Sequence, residues 1–141
     1  MLNSSTEITP DAALIPWDEG QLCLGHDSMD ATHEVFVKLV NSLANADKQR
    51  FIALFTELYE HTQAHFAAED DLMKASGFAS TDEHISEHRR VLGEMTQLLK
   101  RVQKGSLTFA RAYVKERLPE WFALHLMSMD QALAVHLQKQ S

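Results

Sequence analysis

The sequence predicts an all-α fold, an up-down-up-down antiparallel four-helix bundle with an irregular N-terminal arm. Three observations predict it. Apolar residues recur at helical spacing through four long stretches. Only three prolines and five glycines punctuate 141 residues, so long helices can run unbroken. Short polar connections separate the stretches, and short connections return each helix against its predecessor. A chain of this length fits one domain with a full core. We read residues 1–16 as the arm and residues 17–141 as the bundle domain.

Pro10 and Pro16 discourage helix in the arm, and Ser4, Ser5 and Thr6 give it no periodicity. Trp17 is expected to pack onto the domain, and residues 18–27 continue as loop. The first helix begins near Ser28, with Asp27 or Ser28 as N-cap. Its apolar stripe is Met29, Phe36, Val37, Val40 and Leu43 or Ala44, with His33 on the same face. Asp47 caps a second helix that runs to about Ala75 and ends at Gly77. Its stripe is Phe51, Leu54, Phe55, Leu58, Thr62, Leu72 and Met73. His65 and Glu69 sit where apolar residues are expected.

The third helix starts after Ser80 or Thr81, with Asp82 and Glu83 favourable in its first turn. It carries His84, His88, Val91 or Leu92, Met95, Leu99 and Val102 inward and ends at Gly105. The last segment, 106–139, contains Pro119. This predicts a short helix to about Arg117 and a new one with Pro119 near its first position, or a kink. Trp121, Phe122, His125, Met129 and Leu133 face inward. Asp130 follows His125 by five residues, about 140° further round an α-helix. It is therefore expected to reach a second metal rather than to share His125's direction.

Composition narrows the function. A net charge of −7 argues against nucleic acid and against an anionic membrane surface. No run approaches the roughly 18 apolar residues of a membrane span. The single cysteine, Cys23, cannot form an internal disulfide. The N-terminus lacks the basic and apolar regions of a signal peptide. A cytoplasmic location is the expectation.

Five histidines and two carboxylates lie on the inner stripes: His33, His65, Glu69, His84, His88, His125 and Asp130. Burying such groups unpaired costs several kcal/mol each. No lysine or arginine shares those stripes to balance the carboxylates. A pair of divalent cations would satisfy all seven. With a bridging solvent oxygen, one metal is saturated and the other keeps one open position. Each spacing alone is weak, since a lone core histidine is more often packing than a ligand. The joint occurrence on every helix, in phase with the apolar stripe, decides for the metal site. His26, His61 and His136 read as surface residues.

These residues resemble those of the bacterial hemerythrins, non-haem di-iron oxygen-binding four-helix bundles. The match consists of D-A-T-H ending at His33, H-F-A-A-E-D from His65, H-I-S-E-H from His84 and W-F-A-L-H-L-M-S-M-D from Trp121. Trp17 before the first helix also matches, and the likeness spans about residues 16–137. The resemblance implies two iron ions with a bridging oxo or hydroxo group. His84, His88 and His125 would hold the saturated iron, and His33 and His65 the iron with the open position. Glu69 and Asp130 would bridge them. It implies reversible dioxygen binding, for carriage, storage or delivery, and no enzymatic activity. Phe36, Phe66, Trp121, Phe122 and Leu126 would line the oxygen pocket. Family members usually have Leu where Phe122 stands and often Tyr-Pro where this chain has Phe78 and Ala79. Two alternatives stand beside this reading. One is an oxygen or redox sensor acting through a protein partner. The other is a di-iron enzyme scavenging peroxide or nitric oxide, which needs a general acid that the sequence does not obviously supply. The metal is itself an inference, because imidazole and carboxylate donors also accept zinc or manganese.

Overall fold

The computed structural model describes residues 13–16 and 22–140. Trp17 and most of the arm lie outside the described residues. Four helical rods make up most of the described residues: α1 (Asp27–Leu43), α2 (Lys48–Ser76), α3 (Thr81–Gln103) and α4. The last is built from Thr108–Ala112, Tyr113–Arg117, Leu118–His125, Leu126–Asp130 and Gln131–Gln140, of which the second and fourth pieces are π-helical turns. α2 packs on α1 and α3, and α4 packs on α3 and α2. The result is an all-helical four-helix bundle. No helix among the described residues is long and apolar enough to cross a membrane.

Capping chemistry sets the start of α1 and both ends of α2, with one correction. α1 is capped by His26, not by Asp27 or Ser28: its Nδ1 accepts the Met29 N–H at 3.3 Å. The carboxylate of Asp30 takes the loop amides of Leu24 and Gly25, at 2.7 and 3.1 Å. Asp47 caps α2 as expected, accepting the Arg50 N–H at 2.8 Å. Gly77 ends α2 in the left-handed region, at φ 66°, where the Phe78 N–H reaches back to the Met73 carbonyl. Asn41 holds the described part of the arm. Its side-chain oxygen accepts from the Ile15 N–H at 2.8 Å and its amide donates to the Ile15 carbonyl at 2.7 Å.

Pro119 stands in the first turn of the α-helical piece Leu118–His125, yet the rod does not break there. The backbone at Arg117 and Leu118 stays right-handed helical, at φ/ψ of −85°/−42° and −65°/−44°. Only Leu118 separates the π-turn Tyr113–Arg117 from the proline. Its i→i+5 pattern changes the register of the carbonyls beneath the ring, where an unbroken α-helix would clash. An α-helical piece therefore restarts at Leu118 with Pro119 in its first turn, as expected, but it follows a widened turn inside one continuous rod and not a break in the chain.

The apolar core has two parts. The larger includes Phe36, Val40, Phe51, Phe55, Leu58, Val102, Leu118 and Phe122, with Ile15 from the arm. The smaller is Met29, Met73, Ile85, Leu133 and Ala134. Along α1 the order is Met29, His33, Phe36, and along α4 it is Phe122, His125, Asp130, Leu133. A polar layer thus falls between two apolar ones, and every rod contributes to it.

Candidate metal centre

All seven donors singled out in the sequence are buried in that layer, from His33 at 0% exposed to His65 at 7%. They come together in an unequal arrangement around two carboxylates. Glu69 Oε1 lies 3.4 Å from His84 Nε2 and 3.2 Å from His88 Nε2. Its other oxygen, Oε2, lies 2.8 Å from His65 Nε2 and 3.5 Å from His33 Nε2. Asp130 divides its oxygens the same way. Oδ1 is 3.1 Å from His84 and 3.2 Å from His125, and Oδ2 is 3.1 Å from His33. Three imidazoles therefore face one side of the carboxylate pair and two face the other.

The position of Asp130 corrects the sequence reading. Its Oδ1 meets His125 Nε2 at 3.2 Å instead of pointing about 140° away. The cause is the π-turn Leu126–Asp130. Where hydrogen bonds run i→i+5, residues five apart stack one turn above the other, as residues four apart do in an α-helix. Within that turn H-x-x-x-x-D is equivalent to the H-x-x-x-E of α2.

The donors fit a pair of cations. Glu69, His84, His88, His125 and Asp130 present atoms within 4.8 Å of one another, and so do His33, His65 and Glu69. The Nε2 atoms of His84 and His125 converge to 3.1 Å. Several buried atoms aimed into the layer have no hydrogen-bond partner among the described residues, including His33 Nε2, Glu69 Oε1, His88 Nε2 and Asp130 Oδ1. Orphaned polar atoms at this depth are costly, and a shared cation relieves all of them.

The electrostatics agree. Burial alone would lower the pKa of His33 and His84, but Asp130 and Glu69 outweigh it and raise both from 6.5 to about 9. Burial pushes Glu69 upward, yet its histidine contacts, His33 foremost, hold it well below 4.5. Asp130 is likewise lowered, with His125, His33 and His84 overcoming burial and the charge of Glu69. Without a cation, the carboxylates keep protons on imidazoles, and those protons supply the positive charge that the layer is built to hold.

Aromatic rings enclose the cluster. Phe122 stacks on Phe36 at 4.9 Å and meets His33 edge-on at 5.8 Å. Phe66 lies flat against His88, with centroids 3.9 Å apart and planes at 8°. Trp121 is half-buried and stacks on His125 at 4.6 Å. Phe36, Phe122 and fully buried Leu126 belong to the larger apolar core. Trp121 backs the three-histidine side, not His33 and His65.

Sequence reasoning missed several polar partners. Asp70 holds His88 Nδ1 at 2.8 Å, and the only signal was the second acid of H-F-A-A-E-D. His61 is not a bland surface residue: its Nε2 lies 3.2 Å from the Thr32 carbonyl, one residue before His33. His136 ties α4 to the end of α2 through the Ser76 carbonyl, at 3.0 Å. Neither contact has a local sequence signature, because each depends on which backbone lies opposite.

Residues 24–137 match the family described as the Hemerythrin HHE cation binding domain. A bacteriohemerythrin of Ralstonia nicotianae is 36% identical over 124 residues, covering 88% of this chain and 89% of that protein. The myohemerythrin of Riftia pachyptila is 22% identical over 114 residues, covering 81% of this chain and 86% of its own. Among solved structures, a leucine-to-alanine variant of hemerythrin superposes with a TM-score of 0.75 at 20% identity, over 89% of this chain and 98% of that one.

Proposed function

The chain belongs to the hemerythrin family, whose domain binds a di-iron centre, and from that premise we propose that residues 17–141 bind dioxygen reversibly for carriage, storage or delivery. The observation that carries the reading is the unequal split of imidazoles about two carboxylates, each with one oxygen on either side. His84, His88 and His125 would saturate one iron, while His33 and His65 would leave a position open on the other. Glu69 and Asp130 would bridge the pair. When bound, two ferrous ions supply the electrons that hold dioxygen reversibly.

The chain's own contribution is enclosure and orientation. Phe36, Phe122 and Leu126 keep water and protons from the His33 side, and Phe66 closes the space between His65 and His88. Trp121 fixes the plane of His125. The Phe122 ring beside His33 and the Phe36 ring stacked on it carry no group able to donate a proton, which favours binding over turnover chemistry.

The test is a visible spectrum of the protein loaded anaerobically with ferrous iron, recorded before air, after air, and after oxygen is removed. A charge-transfer band that comes with air and leaves on deoxygenation supports the binder. Immediate, irreversible conversion to the diferric form favours the sensing or scavenging alternatives.

A further inference from the structure

Four of the five histidines in the polar layer share one feature: the Nδ1 atoms of His33, His65, His84 and His125 have no hydrogen-bond partner among the described residues. His88 differs. Its Nδ1 lies 2.8 Å from Asp70 Oδ1, while its Nε2 faces Glu69 Oε1 at 3.2 Å. Asp70 follows Glu69 on α2, and consecutive residues project about 100° apart. One carboxylate therefore enters the polar layer, and the next reaches along the α2–α3 seam to the far edge of the same ring. Phe66, one turn earlier on α2, presses flat on that ring at 3.9 Å. The imidazole is thus held at its face by Phe66 and at its outer nitrogen by Asp70. The Asp70 side chain is 24% exposed against 2% for His88, so its charge keeps contact with water and is cheap to maintain.

We propose that Asp70 is a positioning residue for His88, holding the ring's tautomer and placing a negative charge behind the three-histidine iron. The inference rests on the di-iron reading above. An ionised carboxylate only accepts hydrogen bonds, so the hydrogen of the neutral ring resides on Nδ1 and the lone pair on Nε2. That lone pair points into the metal layer. A carboxylate on the remote nitrogen also makes the imidazole a stronger donor, and losing such a partner typically costs about 10–100-fold in metal affinity. A stronger donor stabilises ferric over ferrous iron. With no such partner behind His33 or His65 among the described residues, the effect falls on one iron only.

Three variants of the full chain separate the effects. Asp70→Asn keeps an acceptor oxygen and removes the charge. Asp70→Leu removes both, and Asp70→Glu keeps both. Iron retention against a competing chelator and the midpoint potential of the iron centre are read for each, with circular dichroism as the check on folding. Asp70→Leu is expected to hold one of its two irons about 10–100-fold more weakly. Asp70→Asn is expected to keep both irons at a raised midpoint potential, and Asp70→Glu to restore wild-type behaviour. Wild-type affinity in a folded Asp70→Leu, or a wild-type potential in Asp70→Asn, overturns the proposal. The asparagine variant is nearly isosteric, so its potential decides even if the leucine variant fails to fold. A wild-type chain that retains no iron brings down the di-iron reading itself, which is a different result from an iron-loaded protein whose behaviour the changes at Asp70 leave unaltered.

Discussion

Phe122 decides how much room there is beside His33. Its ring stacks on Phe36 at 4.9 Å and stands edge-on to His33 at 5.8 Å. Replacing it with leucine removes a ring face from the wall while keeping it apolar. The Phe122→Leu variant is expected to bind and release dioxygen faster and to autoxidise faster, at a stability cost of roughly 1–2 kcal/mol, less than the ~3–5 of a full truncation to alanine. Stopped-flow kinetics check this, and unchanged rates would remove Phe122 from the pocket. The ionisable residues give a second prediction, for the metal-free chain. His33 and His84, raised from 6.5 to about 9, favour the fold fully below 6.5 and lose that contribution as pH climbs through about 9. Glu69 and Asp130 are lowered, so they favour the fold above their ordinary values of 4.5 and 3.8 and lose it as pH falls below them. Metal-free stability should therefore peak between about 4.5 and 6.5, as urea midpoints across pH will show. With both metals bound the alkaline loss should shrink, because the imidazoles are then neutral and have no imidazolium proton to lose.

At the scale of the element, the π-turns of α4 set the register of the site. In the Leu126–Asp130 turn, one residue more than an α-helix needs brings Asp130 over His125. Ser128 is exposed within it, its hydroxyl donating to the Leu124 carbonyl at 2.6 Å. Deleting Ser128 should close the turn into regular α-helix, leave His125 and the aspartate four apart on one face, and keep both metal ions. Deleting Ala132, in regular helix just beyond, should instead rotate Leu133 and Ala134 by about 100° out of the smaller core. That loss should cost on the order of 3–5 kcal/mol. Metal stoichiometry and urea midpoints distinguish the two, and loss of metal in the Ser128 deletion would sink the equivalence of the two spacings. The contrast also explains what was readable in advance. His65 with Glu69 and His84 with His88 were legible because α-helical geometry turns a spacing of four into one face. Asp130 was legible as a donor but not in its direction, because L-M-S-M-D carries no mark of a π-turn. Pro119 was legible as the first turn of a new helical piece, but not the continuity of the rod across it, because only the hydrogen-bond register of the turn before it reveals that. The polar ties of His61, His136 and Asp70 were silent for a different cause, since each depends on a neighbour from another helix.

For the molecule as a whole, the site is a seam. The larger core lies on one side of the polar layer and Met29, Met73, Ile85, Leu133 and Ala134 on the other. Apolar burial holds each part together, but across the layer the contacts are imidazoles and carboxylates, which stabilise little unless paired. Bound metal should therefore act as the joint between the two. At free metal about 1,000 times the dissociation constant, binding only to the folded state contributes about 4 kcal/mol. At roughly 2–4 °C per kcal/mol for a chain near this size, removing the metal should lower the melting temperature by on the order of ten degrees. The loss should also be local. Amides of Gln131–Gln140 and of the first turns of α1 lie at the small-core end and should exchange much faster after chelation. Amides around Phe51, Phe55 and Val102, fully within the larger core, should keep most of their protection. Hydrogen exchange on the loaded and metal-free protein reads both at once. A uniform rise along all four helices would mean that the bundle is one cooperative unit and that the polar layer is not its weak plane.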